Sequence, residues 1–212
     1  MQGNLLRRYG LGADQIEAES LARLEALAGA DLPSDPAARL VASRMVYAAG
    51  DPELARCVVV QPTAIQAGVA ALRNGAPIIV DVGMVAAGIR RDKVERLGCT
   101  LSVAVEQAGT HSSGMTRAAA GVQSLAGKLD GSVVAIGNAP TALLALLDLV
   151  DSGVRPPALV IGVPVGLVAA AESKLELSRR DVPYVTVLGT RGGSPLAAAA
   201  TNALLDLATD VR

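Results

Sequence analysis

The sequence predicts an α/β protein: a single domain with a mostly parallel sheet flanked by helices, doubly wound in the Rossmann-like manner. Three observations carry this. From Cys57 onward, short apolar runs alternate with Ala-rich helical stretches, the pattern of right-handed βαβ crossovers. The strand runs are apolar throughout instead of alternating, as strands buried on both faces require. Of the 212 residues, 51 % are apolar but only 1 % aromatic, so the core must be Val, Ile, Leu and Ala. That length suffices for one well-buried domain over residues 1–212 and would cramp a second.

The elements follow in order. Ala13 to Ala28 reads as an amphipathic helix, with Ile16, Leu21, Leu24 and Leu27 at roughly helical spacing and Glu17, Glu19 and Glu25 between them. A loop through Pro33 and Pro36 leads to a second helix, Ala37 to about Tyr47, stopped by Gly50-Asp51-Pro52. These two form a helical N-terminal segment of about residues 13–48. The strands expected next are Cys57–Val60, Ile78–Val82, Leu101–Val105, Val133–Ile136, Leu159–Val163 and Tyr184–Leu188. Between and after them the helices fall near Thr63–Asn74, Arg91–Leu97, Met115–Leu129, Thr141–Asp151, Leu167–Ser178 and Leu196–Ala208.

Composition narrows function. A formal net charge of −1 gives no global attraction to nucleic acid or anionic membranes, and aromatic poverty removes the stacking platform of single-strand binders. No apolar stretch reaches bilayer-spanning length and Met1–Gly10 lacks the apolar region of a secretory signal, so a cytoplasmic protein is expected. His111 is the single histidine and neither Cys57 nor Cys99 sits in a CxxC pair, so no metal site is expected; the cysteines read as free thiols.

In doubly wound sheets ligands bind outside the carboxyl ends of the strands. Here those ends read Asp81-Val82-Gly83-Met84, Gly137-Asn138-Ala139-Pro140-Thr141, Gly162-Val163-Pro164-Val165-Gly166 and Gly189-Thr190-Arg191-Gly192-Gly193-Ser194. Three of the four are Gly-rich turns running straight into helices, where backbone approaches a ligand closely and free N–H groups attract anions. The last turn allows Ser194 as helix cap with Pro195 behind it, but an Arg between glycines also brings a cation and bare amides together. Asn138 is either a turn residue or a ligand-facing amide. Arg117, beside Thr116 at the start of its helix, opposes the helix dipole and so suits an anionic partner, whereas Arg44 in the last turn of its helix suits the dipole. Glu172 and Lys174 read as surface charges. His111 is a solvated loop histidine or a functional one, and a lone histidine makes no nucleophilic triad plausible. No dinucleotide or phosphate fingerprint is present, which argues against a nucleotide-dependent enzyme.

Taken together these strand ends resemble those of the precorrin-8X methylmutases, the cobalt-precorrin-8 methylmutases included. The stretch Pro77-Ile-Ile-Val-Asp-Val-Gly-Met-Val-Ala-Ala-Gly-Ile89 is similar to that family's D-x-x-M-V-A-A-G-I motif. So are Gly114-Met-Thr-Arg-Ala-Ala-Ala120, Gly137-Asn-Ala-Pro-Thr-Ala-Leu143, Gly162-Val-Pro-Val-Gly166 with Glu172-Ser-Lys174, and Gly189-Thr-Arg-Gly-Gly-Ser194, in order from about Ile16 to Leu205. The resemblance implies a homodimer with active sites near the subunit interface. It implies an isomerase that moves the C-11 methyl of a corrin precursor to C-12 in vitamin B12 biosynthesis, giving hydrogenobyrinate or cobyrinate without a cofactor. It also implies Arg44, Arg117, Lys174 and Arg191 as cationic contacts to precorrin-8X or cobalt-precorrin-8, with Thr116, Asn138 and Ser194 as hydrogen-bonding partners.

One position departs. Where the family carries Arg-x-Ile-His, this chain reads Arg44-Met-Val-Tyr47, so Tyr47 stands at the expected catalytic histidine. That histidine is expected to protonate a ring nitrogen; a phenol of pKa about 10 holds its proton far more tightly than an imidazole of about 6.5, yet still donates a hydrogen bond. Three readings follow: a methylmutase using Tyr47, one using His111, or an impaired tetrapyrrole-binding paralogue or carrier.

Overall fold

The structure, a computed structural model, describes residues 13–109 and 114–209. Six strands form one sheet: β1 (Val58–Val60), β2 (Ile78–Val80), β3 (Leu101–Val103), β4 (Val133–Ile136), β5 (Leu159–Gly162) and β6 (Tyr184–Val187). Their order is β1-β6-β5-β4-β2-β3. All neighbours run parallel except β1, which pairs antiparallel with β6, Val59 facing Thr186. Most strands end one or two residues before their apolar run does, because the last of those residues turn into the site.

Side-chain alternation explains why these strands are apolar throughout. Ile78, Val80, Val133, Ala135, Leu159 and Ile161 join one core, while Ile79, Val134, Ile136 and Val160 join another on the opposite face. The first face is covered by α2 (Pro36–Ala49), α3 (Ala64–Arg73) and α10 (Ser194–Thr209). The second is covered by α7 (Arg117–Ser124), α8 (Pro140–Asp151) and α9 (Ala170–Ser178). The remaining helices are α1 (Ala13–Ala28), α4 (Gly83–Gly88), α5 (Arg91–Arg96) and α6 (Ala104–Gln107).

Several expectations shift in detail. α4 is a short helix that the sequence presents only as a strand-end loop, and α6 takes over Ala104 and Val105, which the sequence placed at the end of the Leu101–Val105 strand. The expected Met115–Leu129 helix stops at Ser124 and continues as a tight turn through Ala126–Lys128. The Leu167–Ser178 helix starts only at Ala170, since Pro164, Gly166 and Ala169, at φ 61, hold residues 163–169 as a loop. α2 runs two residues past Tyr47 to a left-handed cap at Gly50. In α1, Leu24 and Ala28 are buried but Ile16 and Leu27 face solvent, because α1 packs chiefly on α2 and the Pro52–Cys57 turn and needs only a narrow stripe.

One glycine sets the spacing of layers at the site. A Cβ on Gly137 would lie 2.8 Å from Ser194 Cα and 2.9 Å from Ala197 Cβ, so the turn after β4 presses directly on the start of α10. Overpacking of this kind costs about 1–3 kcal/mol. At about 2–4 °C per kcal/mol for a chain of this size, Gly137→Ala should melt roughly 2–12 °C lower in a circular-dichroism scan. An unchanged midpoint would show that α10 is free to move away.

Candidate functional site

The sheet reverses direction between β2 and β4. From β2 the chain goes outward to β3, then crosses back to β4 and continues through β5 to β6. The carboxyl ends of β2 and β4 therefore diverge into a crevice, the place where such sheets bind ligands.

Asp81, directly after β2, organises this crevice. Its carboxylate accepts hydrogen bonds from the N–H groups of Gly137 (3.2 Å), Asn138 (2.8 Å) and Ala139 (2.8 Å), and from Val82 at 3.0 Å. The side chain is fully buried. Burial pushes its pKa above the ordinary carboxylate value, and the four N–H donors oppose that shift. The Gly137–Ala139 amides are thus satisfied from within, Pro140 has no N–H, and the turn is not the open anion cradle that the sequence suggested. What it offers is the Asn138 side chain, which is exposed and has no protein partner among the described residues.

Thr116 and Arg117 sit across from this turn. Thr116 caps α7 through Ala119 N, and its Oγ1 lies 2.7 Å from Thr141 Oγ1 on α8. That pair ties the two helix starts together. Arg117 is the first residue of α7, exposed, its guanidinium donating to the carbonyl of Val105 at 3.3 Å. An arginine opposing the helix dipole is thus held in place without a carboxylate partner among the described residues.

The Gly189–Ser194 turn after β6 behaves differently from the Gly137 turn. Among the described residues, the N–H groups of Gly189, Thr190, Arg191 and Gly192 meet no protein acceptor. Gly192 has room for no Cβ, which would lie 2.3 Å from the carbonyl oxygen of Val163, so this turn lies flat on the loop after β5. Gly166 N donates to Thr190 O and Gly193 N to Val163 O, locking the two loops. Ser194 begins α10 instead of capping it, and its hydroxyl has no partner among the described residues. Arg191 bridges Asp51 (3.4 Å) and Glu53 (3.5 Å), the segment that follows Tyr47. Together Asp51, Arg191, Gly192, Val165 and Leu196 line a cavity of about 380 Å³.

Lys174 does not face solvent, as the sequence suggested. It is completely buried on α9, its ammonium bonded to the carbonyl of Arg191, and burial pulls its pKa down to about 8. Glu172 is exposed as expected.

Arg44 and Tyr47 share a second cleft of about 300 Å³ between α2 and α10, bounded also by Glu17, Arg90, Asn202 and Asp206. Arg44 lies in the penultimate turn of α2, not the last, since the helix extends to Ala49; it pairs with Glu17 at 2.5 Å. Tyr47 is 39 % exposed, and Ala48 beside it lines both cavities. Around the strand ends the apolar side chains of Met84, Val165, Leu167, Val168 and Leu188 stand out in solvent. His111 lies outside the described residues. No grouping of His, Cys, Asp and Glu suited to a metal occurs among the described residues.

Unpaired hydrogen-bonding side chains, the bare amides of the Gly189 turn and an arginine at 117 without a carboxylate partner among the described residues suit a large ligand with several carboxylates. Comparison with known proteins decides what the scaffold is. The family model described as precorrin-8X methylmutase (CbiC) matches residues 15–207. The chain belongs to the precorrin-8X methylmutase family. A precorrin-8X methylmutase of Pseudomonas aeruginosa is 45 % identical over 195 residues, covering 89 % of this chain and 93 % of its own. A cobalt-precorrin-8 methylmutase of Priestia megaterium is 40 % identical over 172 residues, covering 79 % and 76 %. In three dimensions the chain is similar to the precorrin-8x methyl mutase of Thermus thermophilus, with TM-score 0.83, 38 % identity, and coverage of 92 % and 98 %. Members of this methylmutase family are isomerases.

The residue that sequence reasoning passed over is Asp81. It stands within the family's D-x-x-M-V-A-A-G-I stretch, but its four-donor role appears only in the fold. The available signal was a lone carboxylate closing the apolar run Ile78-Ile79-Val80, because a charge entering a core requires partners.

Proposed function

We propose that this chain is a precorrin-8X methylmutase: it binds precorrin-8X or cobalt-precorrin-8 and shifts the C-11 methyl to C-12, giving hydrogenobyrinate or cobyrinate for vitamin B12. The observation that carries the reading is the convergence of Arg117, Arg191 and bare loop amides on the strand carboxyl ends of a chain belonging to this family. Relatives of both substrate names stand at comparable identity, 45 % and 40 %.

In this reading Arg44, Arg117 and Arg191 receive peripheral carboxylates, and Thr116, Asn138 and Ser194 donate or accept hydrogen bonds. Tyr47 donates its phenolic hydrogen bond to a ring nitrogen, drawing electron density from the ring as the methyl migrates. No cofactor is required, since one bond to C-11 breaks while one to C-12 forms. The chain acts as one domain over residues 1–212, as a cytoplasmic homodimer without nucleic-acid or membrane partners. The exposed Leu167 and Val168, at 90 % and 83 %, support burial against a second subunit or the substrate. Among the described residues no helix is long and apolar enough to cross a membrane.

The test is incubation of the purified chain with precorrin-8X, and separately with its cobalt counterpart, followed by absorption spectroscopy. Appearance of the hydrogenobyrinate or cobyrinate chromophore is the expected result. Tight binding with an unchanged spectrum would instead make the chain a tetrapyrrole carrier.

A further inference from the structure

Lys174 presents an unusual combination. Its side chain is fully buried, yet among the described residues no carboxylate lies within 4.0 Å of its ammonium. A buried ammonium normally demands such a partner, because desolvation of the charge is costly. Here the polar contact found is the carbonyl of Arg191, directly below the turn whose N–H groups at Gly189, Thr190, Arg191 and Gly192 also lack acceptors. The Arg191 side chain itself pairs with Asp51 and Glu53. An ammonium without a carboxylate, bare amides and a guanidinium are therefore gathered at one loop, where Asp51 and Glu53 are spent on Arg191 and no carboxylate reaches Lys174 among the described residues.

We propose that Lys174 is a positioning residue: from beneath, its ammonium fixes the Gly189–Ser194 turn and aims Arg191 and the bare amides at a carboxylate of the substrate. It does not touch that carboxylate, which lies on the far side of the turn. This rests on the methylmutase reading for the identity of the anion, but not for the mechanics of the turn. Lys174 thus acts on the substrate indirectly, not by contact. It also explains why the charge is tolerated: the substrate supplies the missing negative partner through the turn.

Among the described residues, the groups that bear on the Lys174 charge are Cys57, from the segment entering β1, and the Arg191 loop, where Arg191 pairs with Asp51 and Glu53. A lysine with a pKa of about 8 loses its proton within an accessible range. The turn should then be held below that pH and loosened above it.

The experiment compares the wild-type chain with Lys174→Met, an apolar side chain of similar length, and Lys174→Arg. Hydrogen exchange at the two amides that lock the turn, Gly193 N on Val163 O and Gly166 N on Thr190 O, corrected for intrinsic rates, is read between pH 6.5 and 9.5 with no ligand present. Hydrogenobyrinate affinity is read over the same range by absorption titration. The wild-type turn is expected to exchange at least 10-fold faster above pH 9 than below pH 7, while Lys174→Met is fast at every pH. Hydrogenobyrinate should bind at least 10-fold more weakly to Lys174→Met at pH 7, with no pH step, although its melting temperature is no lower. Partial recovery in Lys174→Arg supports the charge as the agent. Exchange and affinity unchanged in Lys174→Met would overturn the proposal. A wild-type chain whose turn responds as described but which ignores hydrogenobyrinate keeps Lys174 as the clamp and refutes the substrate.

Discussion

Tyr47→His should raise turnover of precorrin-8X by about 10²- to 10⁴-fold, the range that a positioned general acid contributes. Tyr47 stands at the family's histidine position, lines the cleft with Arg44, and is 39 % exposed, so an imidazole fits without disturbing the core. The gain arises because imidazole, with an unperturbed pKa of about 6.5, transfers a proton near neutrality, whereas a phenol at about 10 does so poorly. The sign of the pH dependence follows. The histidine variant should be fastest where imidazole is protonated and should slow as pH rises past about 6.5. Tyr47→Phe, which keeps the ring and removes the donor, should fall below the wild type. Melting temperatures should hardly change in either case, since the site is at the surface. The measurement is the initial rate of chromophore formation at several pH values. Equal rates for wild type and Tyr47→His would remove Tyr47 from the chemistry.

Asp81→Ala should be the most damaging single substitution for stability in the crevice. It strips acceptors from four N–H groups, those of Val82, Gly137, Asn138 and Ala139. Leaving a buried donor unsatisfied costs about 1–3 kcal/mol, and water entering the space offsets part of the total, so about 3–5 kcal/mol is expected. At about 2–4 °C per kcal/mol, the midpoint should drop by roughly 6–20 °C. Affinity for hydrogenobyrinate should also fall, because the turn presenting Asn138 loses its anchor. Thermal unfolding with an absorption titration on the same sample checks both. A stable Asp81→Ala chain would mean that the turn after β4 is held by the Gly137 contact with α10 alone.

The fold was readable in the chain to a large degree because its strands are buried on both sides, which leaves an unbroken apolar run at each. The Val133–Ile136 strand falls where the composition places it, and the other strands lie within the expected runs. The antiparallel course of β1 left no such mark, since its three valines are as apolar as the rest. The short α4 and α6 were invisible for another reason: helices of six and four residues are too short to show a period. At the site, residue types revealed the arginines, Asn138 and the Gly-rich turns, whereas their pairing depends on distant segments. Nothing near Lys174 in the chain announces that it points inward to a carbonyl 17 positions later. Likewise, a turn with bare amides and one with satisfied amides read alike until Asp81 is placed beside the second.

That last distinction bears on what the crevice rejects. In many doubly wound enzymes the helix start beside the switch point welcomes a phosphate, whose oxygens take up the unpaired amides. Here a carboxylate belonging to the chain already occupies that role at residues 137–139. A phosphate approaching this turn would find those three amides taken, an acidic side chain behind them, and a proline without an N–H at the first position of α8. The turn that greets a cofactor's phosphate on many such scaffolds is here spent on the chain's own acid, and the row of bare amides lies at the turn after β6 instead.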